Sequence, residues 1–186
     1  MIIWIGLGVL AVYGVILYNS LVGVKNAVSK AWANIDVLLK QRHDELPKLV
    51  DACQQYMAHE QGTLERVIQA RARVADARQS RNVGALGAAE GALRSGVGQL
   101  FALAETYPEL KASQQFGHLQ SRISGLENAI ADRREFYNES VNINNVSIEQ
   151  FPELVIARLF KFKAFDLLQF GAEEVTDVDI GQRFKT

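Results

Sequence analysis

The chain has a single cysteine, three prolines and, through its first 24 residues, no charged side chain at all. A lone Cys53 excludes an intrachain disulfide, and its place on an apolar stripe suits a packed side chain better than a nucleophile. With so few prolines and abundant Ala, Leu, Gln, Glu and Arg, helix is the expected state throughout. Neither sign of charge dominates: 20 Lys and Arg face 21 Asp and Glu, which gives no global basis for binding nucleic acid.

Marks of catalysis are also scarce. His43, His59 and His118 are scattered and form no recognisable metal set. His59-Glu60 begins a zinc-protease pattern, but Thr63 stands where the second histidine of H-E-x-x-H is required. Six residues apart on a helix, Cys53 and His59 point in different directions and make a poor nucleophile pair. The glycines between 84 and 98 follow no strand and include no GKS or GKT, so they form no phosphate-binding loop. No catalytic, cofactor or metal residue is assigned, and a non-enzymatic protein is expected. A hydrolase built on Cys53, His59 and Glu60 is the catalytic alternative.

What is present is one long apolar start followed by helical stripes. Met1 to Leu17 is almost wholly apolar, with Trp4, Tyr13 and Tyr18 suited to membrane interfaces. As helix, residues 1–24 reach ~36 Å, enough for a hydrocarbon core of ~30 Å. No basic start and no A-x-A cleavage site accompany the run, so it reads as an uncleaved, single-pass anchor rather than a signal peptide. Lys25, Lys30, Lys40 and Arg42 follow it, which by the positive-inside rule places the soluble part in the cytoplasm.

From Tyr18 to His59 an unbroken seam continues through Leu21, Val24, Val28, Ala31, Ile35, Leu38, Arg42, Leu46, Leu49, Cys53 and Tyr56 in alternating threes and fours. Pro47 should kink or break it. The seam then resumes weakly past Gly62 to an Arg-rich end at Arg71–Arg81, read as a solvated face. Asn82 to Gly84 marks a turn. A glycine-rich second helix carries Leu86, Glu90, Leu93, Val97 and Leu100, its glycines implying close helix approach. Ser113 caps a third, with Phe116, Leu119, Ile123, Leu126, Ile130, Arg133, Tyr137, Val141 and Asn144 on its seam. Asn142 to Ser147 weakens its end, and Phe151-Pro152 turns the chain into an aromatic tail, Phe160, Phe162, Phe165 and Phe170. This tail should either dock on the bundle or meet another subunit.

The expected fold is therefore all-α: a transmembrane helix over 1–24 continuing into one antiparallel bundle over 25–150, with helices at about 25–81, 84–106 and 113–145. An aromatic docking or assembly segment with an acidic, loose end follows over 151–186. Asp36, Arg42, Asp44, Glu127, Arg133 and Arg134 lie on or beside the seams and are expected to make inter-helix polar contacts that fix register more than they stabilise.

Several strings, in order and spacing, closely resemble the LemA family. They are Tyr18-Asn19-Ser20-Leu21-Val22, Ala31-Trp32, Ile35-Asp36-Val37, Arg42 with Asp44, Leu46-Pro47, Leu49-Val50, His59-Glu60 and Ala70-Arg71. Further on come Tyr107-Pro108-Glu109-Leu110-Lys111-Ala112, Glu127-Asn128, Arg133-Arg134-Glu135-Phe136-Tyr137-Asn138 and Phe151-Pro152. The resemblance covers nearly the whole chain and implies a bacterial membrane protein with one N-terminal span, a bundle of long antiparallel helices and no known catalytic site. It departs from the family pattern at Glu45 and Lys48, beside the proline, and at Lys161, where Gly usually precedes Phe162. Family members often accompany membrane zinc metallopeptidases of HtpX type, an analogy that implies a scaffold confining such a protease. Self-association of a membrane scaffold is the leading functional expectation; a membrane-tethered sensor or adaptor for a soluble ligand or signalling protein is the other.

Overall fold

The computed structural model describes residues 1–170. The acidic stretch Glu173 to Asp179, with the rest of the chain end, lies outside the described residues. Six helices follow in order: α1 (Ile2–Gln54), α2 (Gln61–Gln79), α3 (Val83–Ala104), α4 (Pro108–Lys111), α5 (Gln114–Glu149) and α6 (Glu153–Leu159). Among the described residues every regular element is a helix, and the helices pack as a bundle.

The rod expected over 25–81 is two helices. α1 ends at Gln54, and residues 55–60 turn the chain around Met57, which is fully buried. The helix runs uninterrupted through Pro47. A mid-helix proline costs ~3 kcal/mol, but Leu46, Leu49 and Val50 beside it are all buried and contribute roughly 1.5–3 kcal/mol each. Packing therefore outweighs the lost hydrogen bond. The two family departures flanking the proline partner each other, Lys48 Nζ lying 3.1 Å from Glu45 Oε2. The seam also shifts locally: Leu39 and Met57 are buried where Leu38 and Tyr56 are expected, Leu38 being half-buried and Tyr56 exposed. Met57 lies beyond the end of α1, where the helical period no longer places side chains, and the positions between, Arg42, Leu46, Leu49 and Cys53, are buried as the stripe implies.

The single bundle domain expected over 25–150 is two compact units, because α1 and α5 are long enough to contribute to both. The first comprises Met1–Asp44 and Arg122–Leu167; the second comprises Glu45–Ser121 with, among the described residues, 168–170. In the first, α1 and α5 run antiparallel: Gly14 faces Ile156 just beyond α5, whereas Trp32 meets Tyr137 in its middle with rings 5.5 Å apart. Leu21, Val28, Ile35 and Leu39 of α1 and Ile123, Leu126, Ile130 and Val141 of α5 are the buried apolar residues of this unit's core.

In the second unit α2 and α3 pack as a hairpin. α2 stops where Arg81 enters the left-handed region at φ 51, with Asn82 N–H donating to Ala77 O (3.1 Å) and Arg81 N–H to Arg78 O (3.2 Å). This is a Schellman ending. Asn82 then caps α3, its Oδ1 accepting from Ala85 N–H at 2.9 Å. The glycines of α3 do not share one purpose. A Cβ on Gly96 would touch Val67 of α2 at 3.6 Å, consistent with close helix approach, whereas a Cβ on Gly87 would collide with the carbonyl of Gln169. At Gly87 the neighbour is an extended chain, not a helix. Tyr107 O–H, before α4, donates to Glu60 Oε1 (3.2 Å) and ties the α1–α2 connection to the α3–α4 one.

Candidate functional site

No enzyme-like constellation is assembled from the residues singled out by sequence. Cys53 is buried, and burial pushes its thiol up to about 11, away from the thiolate. His59 is exposed on the connection, and Glu60 is engaged by Tyr107. Among the described residues no group of three or more His, Cys, Asp or Glu is placed to hold a metal.

The polar seam residues divide. Arg42 is 2 % exposed and partnered, and Asp36, Glu127 and Arg134 are half-buried and partnered. Asp44 and Arg133 are exposed instead, and Arg133 sits over the ring of Phe136, 5.7 Å from its centroid. Asp44 lies two residues, about 200° of helical rotation, from buried Arg42 and Leu46, and so points away from the seam. Glu90 (1 % exposed) and Asn144 (1 %) are two buried polar residues that sequence reasoning left out of the set. Their signal was present: each stands in an apolar stripe at a position where the helical period demands burial.

The aromatic tail has the most developed geometry in the first unit. α6 ends with Lys161 in the left-handed region at φ 56; Phe162 N–H donates to Ala157 O (2.9 Å) and Lys161 N–H to Arg158 O (3.3 Å). The lysine thus fills the C′ position of a Schellman motif, where Gly is least strained. Beyond it the chain runs without regular structure along α5, which continues through Asn142–Ser147 to Glu149 despite the low propensity there. Those asparagines act as clamps. Asn145 Oδ1 accepts from Phe165 N–H and its Nδ2 donates to Phe165 O, both at 3.0 Å. Asn144 Nδ2 donates to Lys163 O at 3.2 Å, and Tyr137 O–H to Asp166 O at 3.0 Å. Burial first, then the nearby Asp166 carboxylate, raises the Tyr137 phenol above its ordinary value. Without a sheet edge or helix partner, the Phe165 N–H and the carbonyls of Lys163, Phe165 and Asp166 find side chains instead.

The rings follow the backbone. Phe160 packs on Tyr18 with centroids 4.7 Å apart, and Phe162 meets the same ring edge-on at 5.9 Å. Phe165 is half-buried, and in the second unit Leu168 and Phe170 are buried. Of the two expected fates for the tail, this is docking on its own chain. The lysine that replaces the usual glycine does not prevent it.

Two concavities open on one side of α1 in the first unit. An apolar groove of about 750 Å³ is lined by Leu7, Leu10, Gly14 and Leu17 of α1, with Pro152 and Ile156 among those opposite. Next along the helix, a cavity of about 630 Å³ is lined by Tyr18, Lys25 and Asn26 together with Lys161, Lys163 and Phe165.

The family model described as LemA family matches residues 31–181. The chain belongs to the LemA family. Among curated proteins, this LemA-family chain is similar to magnetosome protein MamQ 2 of Paramagnetospirillum magneticum (strain ATCC 700264 / AMB-1), 31 % identical over 85 residues. That alignment covers 46 % of this chain and 31 % of the relative. It is also similar to magnetosome protein MamQ of Magnetospirillum gryphiswaldense (strain DSM 6361 / JCM 21280 / NBRC 15271 / MSR-1), 32 % identical over 79 residues, or 42 % of this chain and 29 % of that protein. The chain matches about a third of the length of these relatives. α1 is long and apolar enough to cross a membrane, and only 11 % of its most apolar window is buried. Family, relatives and helix together point to a membrane-associated protein.

Proposed function

We propose that this protein is a non-enzymatic, membrane-anchored helical scaffold that self-associates and organises or confines a membrane partner. The observation that carries the reading is the double role of α1. Ile3, Trp4, Ile5, Leu7, Val9 and Leu10 are exposed, whereas Leu21, Val28 and Ile35 further along the same helix are core. The anchor and the core of the first unit share one continuous helix, which suits a part that holds others at a fixed distance from a bilayer. The span is single-pass, in the inner membrane of a bacterial cell, with the bundle on the cytoplasmic side.

For self-association, Phe136, Ile143 and Val146 of α5 are at least half exposed and share one helical stripe. The membrane partner is a zinc metallopeptidase of HtpX type, a choice resting on the family resemblance. Light scattering on the full-length protein in mild detergent tests the scaffold: a defined oligomer that dissociates on F136Q/I143Q/V146Q, with helicity unchanged, is expected. A monomer before any substitution removes the scaffold reading.

A second reading, a monomeric membrane-tethered sensor or adaptor, is favoured by one observation. The aromatic tail is used up against its own chain by Tyr18, Tyr137, Asn144 and Asn145. Stoichiometric binding of a soluble partner by a monomer is its expected result.

A further inference from the structure

We propose that the first unit holds one anionic phospholipid, its acyl chains in the apolar groove and its phosphate in the lysine-lined cavity; this rests on the membrane reading above. The two concavities are successive parts of one surface. Leu7, Ala11, Gly14, Tyr18, Val22 and Lys25 line them in turn, at steps of three and four along α1, so they share a helix face. From Gly14 to Lys25 the axial distance is ~16 Å, the scale that separates a lipid phosphate from the middle of its chains.

Chemistry divides along the same line. No charged residue lines the groove, and Lys25, Lys161 and Lys163 line the cavity with no acid among its lining residues; Asp166, Glu149 and Glu153 are nearby in sequence but line neither. The groove opens toward the exposed apolar part of α1, so a lipid enters it directly from the bilayer. An apolar compartment leading to a purely basic one fits a molecule with hydrocarbon at one end and negative charge at the other. Tyr18, between them, presents an aromatic body with a polar tip, the residue type that belongs at the level of headgroups.

Lys161 is a second, independent pointer. Its φ of 56 costs an L residue on the order of 1 kcal/mol, which a glycine would avoid, yet the chain holds a cation there, on the cavity wall. Sparing that strain would remove one of the three charges.

The experiment uses the full-length protein, delipidated in mild detergent and re-equilibrated with phosphatidylglycerol, phosphatidylcholine or both, the retained lipid being counted by native mass spectrometry. One phosphatidylglycerol per chain is expected, preferred over phosphatidylcholine by roughly ten- to a hundredfold, since each lysine near such a headgroup contributes up to about fivefold. K25Q/K161Q/K163Q should abolish the preference while keeping helicity. G14L should lower retention of both lipids by filling the groove. K161G discriminates further, because it should raise the thermal midpoint and lower phosphatidylglycerol retention together, opposite signs that general destabilisation cannot produce. Equal retention of the two lipids, or a triple variant that still prefers phosphatidylglycerol, overturns the proposal. So does binding of glycerol phosphate as tight as that of the lipid, which would make the occupant a soluble phosphate. Flotation with vesicles of phosphatidylcholine alone separates the two readings: a chain that fails to float refutes the membrane reading, whereas one that floats but retains no lipid refutes only this site.

Discussion

Cys53 shows how far a single residue's environment sets its chemistry. The thiol is raised to about 11 by burial, so in the unfolded chain it loses its proton first. Stability from this group is therefore complete below about pH 9 and falls as pH rises toward 11; Tyr137, also raised, adds to the alkaline loss. Urea melts should show a falling midpoint across that window, and Ellman's reagent at pH 8 should label Cys53 only on unfolding. Fast labelling of the native protein would contradict the burial. Two backbone positions give opposite predictions. Lys161→Gly relieves a left-handed φ and should stabilise by ~1 kcal/mol, whereas Gly87→Ala meets the Gln169 carbonyl and should destabilise by ~1–3 kcal/mol. Thermal denaturation of both variants checks the pair. Neither effect was legible in the residues alone, because a φ angle and a through-space backbone contact are not properties of local sequence.

At the scale of elements, the helical periods were readable wherever burial repeats regularly. Leu21, Val28, Ile35, Leu46, Leu49 and Cys53 are core as the stripe implies, as are Phe116, Ile123, Ile130, Tyr137 and Val141. The end of α1 was not readable, because residues 55–60 contain no strong breaker and the turn is held by Met57 burial and the Tyr107 bond to Glu60. The low-propensity asparagines near the end of α5 misled in the same way. Tertiary bonds to the tail compensate there for what local preference lacks. Pro47 is the clearest element-scale test. Pro47→Ala should raise stability by ~1–3 kcal/mol, the cost of the missing intrahelical bond less any relaxation of the packed turn. Chemical denaturation reads this directly, and a variant less stable than the parent would mean that the packing depends on the proline's local geometry.

For the whole molecule, the question is what joins an apolar rod to a folded bundle. The tail is attached by side-chain bonds from Tyr137, Asn144 and Asn145 and by the rings of Phe160 and Phe162 packing on Tyr18, followed by burial of Leu168 and Phe170. Ending the chain after Phe160 removes most of them and should cost roughly 7–10 kcal/mol, counting ~1.5–3 kcal/mol for each buried apolar side chain and ~1 kcal/mol for each hydrogen bond. A truncated chain that melts with the full-length one would show the docking to be energetically idle.

Composition and periodicity by themselves determined that the chain is helical, that its first helix carries an apolar span, and which faces turn inward; these are matters of residue type at spacings of three and four, which act locally. Only the tertiary structure decided where α1 ends, what Gly87 accommodates, that the aromatic tail lies on its own chain, and that Lys25, Lys161 and Lys163 surround one cavity. Those are encounters between residues tens to more than a hundred positions apart, and no local pattern encodes them.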